Sequence, residues 1–549
     1  MKNILSIHDG HNAAATIISD GKILSCIAEE RLNRKKFYWG WPTQSIDYVL
    51  KTTGITLDQI DAVTVSHRDT VDYIKRKFSA KENYVLNPKQ ILGHLYHVLI
   101  TLKREMKIRN LMRGHGKKEF FFCDHHLAHA SSAYYYSGYE NALVVSMDAQ
   151  GDGLSHTAYE VKNGDWKLLV NGGSNESLGA FYAALTEGLG FTPNRHEGKI
   201  VGLAALADGK KLEAIDNGFF ITISDDSLHF TRKPYQLMID KVKELLAQGY
   251  TREEISAYGQ YLLEKLVIKH INKLCEMTGA ENLAVAGGVF ANVKLNQKIT
   301  EQCPIKKIFI QPAMGDEGLV LGSAAYFLDK KHGLNINQPM NNVYFGNKYS
   351  NDEVEEALKS KGYQYEVVDD CAQKVAQLLQ DEKIVGWFDG QMEFGPRALG
   401  SRSIIVNPKR KEINDELNKR LNRSEFMPFA PSMLYEKADE IFENVEPGRH
   451  AAEFMTITFN VKSEWRSRID AVVHVDGTAR PQLVRKEINS NYYDVINEFY
   501  KLTGVPVVVN TSFNMHEEPI VCSLEDALRS FDVGAVDYLV FNNRFIIKK

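Results

Sequence analysis

The stretch "NILSIHDGHNAAATIISDGKILSCIAEER", residues 3–31, decides the fold of the first half of the chain. Its apolar runs are short and each ends in a turn rich in Gly, Asp or Asn, which predicts strand, turn, strand, hairpin and strand. A similar pattern returns at "NALVVSMDAQGDGLSHTAYEVKNGDWKLLV", residues 141–170. Two copies of one unit, separated by helical sequence, indicate a fold built by duplication.

Two further glycine-rich turns follow these hairpins. One lies at Gly287-Gly288 after the strand-like "NLAVA", and the other, "GDEG" at residues 315–318, stands at the head of an apolar helix. Backbone N–H groups at such turns hold anions. Paired hairpins of this kind are typical of the actin, hexokinase and Hsp70 type of ATPase, in which they hold a nucleotide's phosphates from opposite sides. We therefore expect a duplicated ATPase fold over residues 1–340.

A second domain is expected after a linker. Residues 331–350, "KHGLNINQPMNNVYFGNKYS", are rich in Asn, Gly and Lys and show no periodicity. An amphipathic helix near residues 351–362 and a second α/β pattern follow, through "KIVGWFDG", "SRSIIVNP" and "VPVVVNTSFN". The predicted fold class is α/β and α+β, with the second domain at residues 351–549.

Size and composition exclude several classes of protein. A chain of 549 residues exceeds what one hydrophobic core usually supports. A formal charge of -4 argues against general nucleic-acid binding, which needs a basic face. The six cysteines form no CxxC pair, the first apolar run ends at Ile7, and no apolar run approaches the length of a membrane span. We expect a soluble cytoplasmic protein with reduced thiols and no membrane or nucleic-acid partner.

A metal site is predicted in "FFFCDHHLAHASSAYYY". His125 and His129 stand four residues apart, so on a helix they share one face and can converge on one ion. Asp148 in "SMDAQGDG" and Asp316 in "GDEG" would complete a mixed N/O donor set suited to Fe(II), Mn(II) or Zn(II). Simpler roles stay open: the histidines could be structural, Asp148 could hold Mg-ATP, and Asp316 could cap its helix. His126 does not share their face, which favours a structural role.

The second domain carries a different signal. Arginines stand beside Gly/Pro turns in "EFGPRALGSRSI", "LNRSEF" and "VDGTARPQ", and "VNTSFN" ends a strand with amide and hydroxyl side chains. A single arginine is usually a surface residue, but a set at strand ends suits bidentate recognition of phosphate. The predicted oxyanion pocket contains Arg397, Arg402, Arg423, Arg480, Asn510 and Ser512.

A basic run covers residues 103–118. It predicts either a solvated helix face or a lid that guides an anionic ligand.

The ordered motifs resemble one family over residues 3–540. The series is "HDGHNAAA", "AEERLNRKK", "HHLAHA", "MDAQGDG", "HEGKIVGLAA", "GGVFANVKLN", "GDEG", "FGPRALGSRSI", "PFAPSML", "HVDGTARPQ" and "NTSFN". It looks like that of the NodU/CmcH carbamoyltransferases. The resemblance implies a TsaD/Kae-like first domain, similar to the transferase that threonylcarbamoylates tRNA, and a YrdC-like second domain. It further implies that carbamoyl phosphate and ATP/Mg give carbamoyl-adenylate and pyrophosphate. The carbamoyl group then passes to a hydroxyl of a small molecule, such as a sugar or a natural-product scaffold.

The resemblance also implies roles for single residues. It matches His125, His129, Asp148 and Asp316 to the metal ligands, with Fe(II) as the expected metal. It matches His11 to the histidine near the acceptor hydroxyl, a candidate general base because a neutral imidazole can take the proton of an alcohol near pH 7. The expected cofactor-binding residues are Arg397, Arg423, Arg480, Asn510, Ser512, Met455, Lys36, Gly151, Gly287, Gly288 and Asn292.

The sequence departs from the family at one place. Antibiotic-tailoring members are expected to read "IKxREPFRPFAP", whereas this chain reads "RLNRSEFMPFAP". Leu421 and Met427 therefore replace two positive charges, while Arg423 is kept. Lys419, Arg420 or Arg402 could substitute for them.

Three other functions fit parts of the sequence. An ATP-dependent sugar kinase would explain the glycine turns and Asp148, but not the paired histidines or the arginines. The tRNA-modifying transferase itself would call for a basic surface, and a non-catalytic nucleotide-binding regulator would call for a broken motif set. The sequence does not specify the acceptor, the choice between O- and N-carbamoylation, or the oligomeric state, although a homodimer is compatible with it.

Overall fold

The computed structural model describes residues 2–68, 70–71, 88–213, 218–422 and 429–549, without the side chains of residues 88–97. The first half contains two five-stranded sheets of the same topology. In each sheet the first three strands form an antiparallel meander, and two later strands are added parallel to the first. The first sheet has the order β3-β2-β1-β4-β5 and consists of β1 (Asn3–His8), β2 (Ala14–Ser19), β3 (Lys22–Ala28), β4 (Ala62–Val65) and β5 (Glu119–Phe122).

The second sheet repeats this order as β12-β11-β6-β7-β8. It consists of β6 (Asn141–Gly151), β7 (Leu154–Lys162), β8 (Asp165–Gly173), β11 (Asn282–Ala286) and β12 (Lys307–Ile310). The duplicated α/β fold of the actin and Hsp70 type is thus confirmed. The central strand β1 and residues 142–147 of the central strand β6 are buried, as expected for strands that are covered on both faces.

Helices pack against both sheets of the first half. The helices of the first half are α1 (Glu29–Asn33), α2 (Thr43–Thr53), α3 (Pro88–Leu111), α4 (His125–Tyr134), α5 (Leu178–Gly188), α6 (Glu197–Ala204), α7 (Tyr235–Ala247), α8 (Arg252–Thr278), α9 (Val293–Gln302) and α10 (Leu319–His332). Two short strands, β9 (Ile221–Ile223) and β10 (Phe230–Arg232), form a ribbon.

Helices α4 and α10 lie between the two sheets and pack on each other. Helix α4 contacts β6 and β11 of the second sheet, whereas α10 contacts β1 and β4 of the first. A side chain at Gly322 of α10 would come 1.8 Å from the carbonyl oxygen of Ala128 in α4, so glycine is required at this crossing. This close packing brings the starts of both helices together at one end of the two sheets.

The second half is built on one mixed eight-stranded sheet of order β13-β22-β21-β14-β15-β20-β16-β19. Its strands are β13 (Tyr365–Val367), β14 (Val385–Phe388), β15 (Arg402–Val406), β16 (Ala430–Leu434), β19 (Gln482–Val484), β20 (Val507–Ser512), β21 (Tyr538–Phe541) and β22 (Phe545–Lys548), while β17 (Phe459–Asn460) and β18 (Thr478–Ala479) form a ribbon. Its helices are α11 (Asn351–Ser360), α12 (Ala372–Gln380), α13 (Ile413–Arg420), α14 (Ala438–Ile441), α15 (Arg449–Ala452), α16 (Ser463–Arg466), α17 (Ser490–Thr503) and α18 (Leu524–Asp532).

The segment between α10 and α11 has no regular helix or strand, as the composition of residues 331–350 predicts, although α10 extends to His332. All six cysteines are buried free thiols. Among the helices of the described ranges, none combines the length and apolar character needed to cross a bilayer.

Candidate active site

Helix α4 begins where two carboxylates hold its first turn. Asp124 is the N-cap, and its Oδ1 accepts hydrogen bonds from the backbone N–H groups of His126 and Leu127. Asp152 Oδ2 accepts the backbone N–H of His125 at 3.0 Å. These bonds satisfy N–H groups that a helix start would leave unpaired, and they fix the direction in which the His125 ring projects.

The four predicted metal ligands converge in space, with donor atoms all within 4.8 Å of one another. His125 Nε2 lies 3.5 Å from Asp148 Oδ2 and 3.5 Å from Asp316 Oδ1, and His129 Nε2 lies 3.3 and 3.4 Å from the same two oxygens. Metal–ligand bonds of about 2.0–2.2 Å place neighbouring donors about 3.0–3.5 Å apart. The two nitrogens and two oxygens therefore fit one divalent ion, and the arrangement suits Fe(II), Mn(II) or Zn(II).

The two carboxylates reach the histidines from irregular backbone. Pairing between β6 and β7 breaks between Met147 and Gly151, and Asp148 lies in this irregular stretch. Asp316 begins a short 3₁₀ turn before α10, and it makes no side-chain cap on that helix. The simpler role of Asp316 as a helix cap is therefore wrong, because its side chain faces the histidines.

In this cluster, burial and the neighbouring side chains shift the pKa values of the predicted ligands in opposite directions. Burial would lower the pKa of His125, but Asp316 and Asp148 outweigh it and raise that pKa to about 9. Burial likewise raises the pKa of Asp148, whereas hydrogen bonds from His125 and His129 bring it well below its ordinary value. The carboxylates are therefore ionised and carry the negative charge that attracts a cation.

Glycines lie against the cluster where a side chain would displace a ligand. A Cβ at Gly151 would come 2.1 Å from Cδ2 of His125, and one at Gly288 would come 2.9 Å from Oδ1 of Asp148. Gly287 and Gly288 follow β11, as the turn pattern predicts. These turns thus approach the predicted ligands closely.

His11 lies at the edge of the cluster. Its Nδ1 is 3.9 Å from Asp316 Oδ2, and its side chain is 29% exposed, so a substrate can reach it. His8 lies beneath it, between Ser66 Oγ and the backbone oxygen of His11, and burial lowers its pKa to about 4. His126 pairs with Ser146 Oγ at 3.0 Å and is fully buried, in agreement with a structural role.

Arg397 and Arg480 come together in the second half of the chain. Both side chains are half-buried, and each Nε is buried without a hydrogen-bond partner among the described residues. Burial lowers the pKa of Arg397 to about 10, and burial together with the charge of Arg397 lowers the pKa of Arg480. Two guanidinium groups without a described counter-charge favour the binding of an anion.

The loop that carries Arg397 is organised by Glu393, which the sequence reasoning missed. Its Oε1 accepts the backbone N–H groups of Leu399, Ser401 and Arg402 at 2.8, 2.7 and 3.1 Å. In the sequence, the only indication of its role is its place in "MEFGPRALGSR", four residues before the predicted binding residue Arg397.

Asn510 lies behind this loop. Its Nδ2 donates to the oxygens of Ala398, Ser432 and Gln482, and Oδ1 is buried without a partner in the described ranges. Ser512 stands at the end of the same strand, β20, opposite Ser403. The predicted residue Met455 belongs to the same buried apolar cluster as Phe394 and Leu399, which flank Arg397 in the sequence.

The predictions for Arg402 and Arg420 need correction. Arg402 donates to the backbone oxygens of Asp389, Gly390, Ser401 and Asn347 and stacks on Phe388, so it is a structural residue and not part of the oxyanion pocket. Arg420 is paired with Asp537 and Glu416. Neither therefore replaces a missing phosphate contact.

Leu421, at a position where the resemblance leads us to expect a positive charge, is fully buried in the main apolar core. The backbone at this position therefore directs its side chain into the core. Lys419 is exposed on α13. Arg423 and Met427 lie outside the described residues.

A cavity of about 240 Å³ lies between the two halves of the chain. It is lined from the first half by Gly202, Ala257, Gln260, Val293 and Lys294, and from the second by Phe429, Thr458, Asp476, Ala479 and Arg480. Lys294 and Asp476 form a 2.7 Å salt bridge across the boundary. The cavity therefore opens on the predicted phosphate ligand Arg480.

Asn292 connects the cavity with the glycine turn. Its side chain exchanges two hydrogen bonds with Gln260, which lines the cavity, and its Oδ1 accepts from Leu295 N at the start of α9. Gln260 was not predicted, because a single glutamine within the long helix α8 carries no distinct sequence signal.

Arg104 of the basic run and Lys36 lie near the loop at residues 8–11, whose sequence is "HDGH". Arg104 pairs with Asp9 and also donates to its backbone oxygen, and Lys107 lies over the ring of Trp41 at 4.8 Å. These charges support the first sheet, so neither is a free guide for ligands. Lys36 lies over the ring of Phe37 at 5.5 Å, in the loop that faces His11.

Comparison with known proteins assigns the family. A family model described as the carbamoyltransferase N-terminus matches residues 3–325, and one described as the carbamoyltransferase C-terminus matches residues 376–549. The chain belongs to the carbamoyltransferase family. It is therefore a transferase of carbamoyl groups, as the motif series implies.

Relatives of this carbamoyltransferase cover its whole length. An uncharacterised protein of Methanocaldococcus jannaschii is 36% identical over 99% of both chains. Nodulation protein NolNO of Sinorhizobium fredii is 33% identical over 98% of this chain and 79% of that protein. Component A of the (R)-2-hydroxyglutaryl-CoA dehydratase of Acidaminococcus fermentans aligns at 15% identity over 59% of this chain and 97% of that one, with a TM-score of 0.35. A TM-score this low does not support a fold assignment, which therefore rests on the strand order of the two sheets.

Proposed function

We propose that this carbamoyltransferase works in two steps at two sites. In the second half of the chain, carbamoyl phosphate and ATP give carbamoyl-adenylate and pyrophosphate; the atom balance requires one water and releases phosphate as well. In the first half, the carbamoyl group passes from AMP to a hydroxyl of a small molecule, which gives an O-carbamate. The domain division at residues 1–340 and 351–549, with a YrdC-like second domain, belongs to this proposal.

The pair of arginines is the observation that carries the first step. Burial lowers the pKa of Arg397 and of Arg480, and the charge of Arg397 lowers that of Arg480 further. Among the described residues no carboxylate pairs with either guanidinium, and each Nε has no hydrogen-bond partner. Unpaired charges are costly to bury, so such an arrangement is stabilised when an anion binds. Phosphate groups match the planar guanidinium fork and supply that anion.

The cavity supports transfer between the two sites. Arg480 lines it on one side, and Val293 lines it on the other, directly after Asn292 and the glycine turn that touches Asp148. An intermediate formed at the arginines would reach the first half without entering bulk water. Carbamoyl-adenylate is a mixed anhydride, so exclusion of water protects it from hydrolysis.

The second step is assigned to the surroundings of His11. Its imidazole is accessible and stands beside Asp316, so it can accept the proton of an alcohol that attacks the carbamoyl carbon. Fe(II), or another divalent ion held by His125, His129, Asp148 and Asp316, would supply positive charge for the phosphate of the AMP leaving group.

The experiment that tests this proposal measures pyrophosphate and the adenine nucleotide product. Purified protein with Fe(II), ATP and carbamoyl phosphate, without acceptor, should release pyrophosphate. Arg397→Ala should slow this release by about tenfold or more, because it removes charged hydrogen bonds to phosphate. Arg410→Ala, which removes an exposed arginine paired with Glu382 in the same half, is the matched control.

Two results would contradict the proposal. One is pyrophosphate release by Arg397→Ala at the wild-type rate. The other is the absence of pyrophosphate together with formation of ADP when sugars are added, which is the result that a sugar kinase would give.

A further inference from the structure

Helix α1 of the first half of the chain carries an arginine that reaches into the second half. Arg31 Nη2 donates a hydrogen bond to the backbone oxygen of Gly395 at 2.8 Å. Gly395 lies two residues before Arg397, within residues 389–402, which we call the Arg397 loop. The predicted phosphate ligand is thus joined, through the backbone next to it, to a side chain of the other half.

An ion pair holds Arg31 in one position. The side chain of Arg31 is buried, and its Nη1 lies 2.8 Å from Glu30 Oε1. Glu30 Oε2 in turn accepts the backbone N–H of Phe37 at 2.7 Å. A charged group is costly to bury even when it is paired, and an apolar side chain would fill the same space at a lower cost. The hydrogen bond to Gly395 is therefore what the guanidinium adds at this position.

The Arg397 loop bends sharply where Arg31 contacts it. Gly395 has a φ of 118°, a conformation that favours glycine, and a Cβ there would come 3.3 Å from the oxygen of Pro312. Pro396 follows and has no N–H group with which the backbone could be fixed. The carbonyl group of Gly395 is therefore the point at which a hydrogen bond can set the direction of the chain into Arg397.

Other contacts fix the loop before and after this point. Its residues 392–394 pair with residues 343–347 through backbone hydrogen bonds of 2.8 to 3.0 Å. Further along the loop, Asn510 donates to the oxygen of Ala398 at 3.1 Å. Arg31 acts in the interval between these two anchors, so its removal should loosen the middle of the loop without detaching it.

We infer that Arg31 is a positioning residue that holds the Arg397 loop in the conformation that binds phosphate; this rests on the proposed function. Arg31 acts through the backbone of Gly395 and does not itself contact the phosphate. With this bond in place, Arg397 is kept beside Arg480, and a phosphate meets both guanidinium groups without rearrangement of the loop. Without the bond, binding must also order the loop, which lowers the affinity.

The ion pair also connects the two proposed sites. Glu30 holds the backbone of Phe37, whose ring lies parallel to the His11 ring at a centroid distance of 6.1 Å. Arg31 therefore lies between the Arg397 loop and the surroundings of the candidate base. By linkage, a phosphate that stabilises the Arg397 loop also stabilises helix α1 and the chain up to Phe37.

Titration calorimetry of the full-length protein with inorganic phosphate tests this inference. Arg31→Met keeps an apolar side chain of similar length but removes the hydrogen-bond donors. It should weaken the Kd for phosphate about five- to twentyfold, because a charged hydrogen bond that orders the loop is lost. Arg31→Lys restores one charged donor and should recover part of the affinity.

Arg34→Met is the matched control. Arg34 lies at the end of the same helix and also crosses to the second half, but it donates to the backbone oxygens of Pro519 and Ile520 and not to the Arg397 loop. Its loss should lower the stability of the boundary between the halves and leave the phosphate affinity unchanged.

Hydrogen exchange of the wild-type protein tests the linkage without any substitution, so the inference stays testable if Arg31→Met does not fold. Saturating phosphate should slow backbone exchange about twofold or more in the Arg397 loop and also in residues 29–37. Helix α7, which packs on α5, is the internal control and should exchange at the same rate with and without phosphate.

The inference is overturned if Arg31→Met binds phosphate as tightly as wild type, if Arg34→Met loses as much affinity, or if Arg31→Lys binds no better than Arg31→Met. Slower exchange in the Arg397 loop without any change in residues 29–37 would also overturn it. Arg397→Ala separates these outcomes from the proposed function. If wild type binds no phosphate, or binds it as well as Arg397→Ala does, the proposed anion site is wrong and the inference fails with it.

Pyrophosphate release by the wild-type protein tests the two-step reaction independently. Release together with phosphate binding that depends on Arg397 but not on Arg31 would contradict this inference alone.

Discussion

At the residue scale, different neighbours hold the two predicted histidine ligands in place. His129 is fully buried and held between Asp148 and Asp316, whereas His125 also contacts the backbone at Gly151. The neighbouring His126 has the same side chain but pairs with Ser146. Substitutions at His129 and at His126 can therefore separate effects on metal binding from general effects on the helix.

We expect His129→Ala to lower the affinity for a divalent metal by more than about tenfold, because even the loss of a group that only supports a ligand has an effect of this size. Metal content after loading with Fe(II), Mn(II) or Zn(II) measures this. His126→Gln is the matched control and should keep the metal even if its stability falls. Equal metal content in His129→Ala and wild type would contradict the predicted site.

Gly151→Ala should also reduce metal content, although residue 151 supplies no side-chain ligand. Its Cβ would come 2.1 Å from Cδ2 of His125, so the imidazole must move away from the two carboxylates. Gly198→Ala is the control, because a Cβ at Gly198 meets no atom within 4 Å. Metal titration of both variants decides the point: a normal metal affinity in Gly151→Ala would show that the ring can shift without loss of the ion.

At the element scale, helix α4 carries both histidines, and its start fixes their direction. Asp124 caps the helix and also accepts a 2.7 Å hydrogen bond from Arg68 Nε. The cap lies directly before His125. A change at the start of this helix should therefore alter both the stability of the protein and the metal site.

Asp124→Ala is expected to lower the free energy of unfolding by about 1 kcal/mol through the lost N-cap, and to weaken metal binding as well. Asp124→Asn keeps a side-chain acceptor for the first turn, so it should lose less stability than the alanine variant. Urea unfolding and metal titration measure the two effects. Identical stability of Asp124→Ala and wild type would show that the cap contributes nothing.

At the scale of the whole molecule, buried histidines make stability depend on pH. His156 and His270 are buried with ring centroids 5.6 Å apart. Burial lowers the pKa of His270 to about 4, and it lowers the pKa of His156 well below its ordinary value. In the folded state both rings are therefore neutral, whereas in the unfolded state they take up protons below about pH 6.5.

Because the unfolded chain binds more protons, stability falls as the pH decreases from about 6.5 towards about 4. Between pH 7.5 and 5.5 each of the two histidines should lower the free energy of unfolding by about 1 kcal/mol. Urea unfolding at both pH values tests this, with His270→Gln compared with wild type. The variant should show a smaller loss than wild type, and an unchanged loss would exclude His270 as a source. Between pH 7.5 and 8.5 these two residues should contribute no change.

Much of the local structure followed from the sequence. Alternating apolar runs and turn residues predicted β1 to β3 and β6 to β8, and the four-residue interval of His125 and His129 placed both on one face of α4. The glycine turns after β11 and before α10 were also predicted. These features depend on neighbours within a few residues, so hydrophobic periodicity and turn chemistry are enough to specify them.

Only the tertiary structure decided which distant residues meet. The crossing of α4 and α10 brings Asp316 to the histidines, and the sheet of the second half places Arg480 beside Arg397 while it commits Arg402 and Leu421 to the interior. The contact of His11 with residues 38–40 likewise joins two loops, through an isolated bridge to Trp39 and the hydrogen bond from Gly40 N to the oxygen of Gly10. Such contacts depend on packing between segments far apart in the chain, and local periodicity carries no information about that packing.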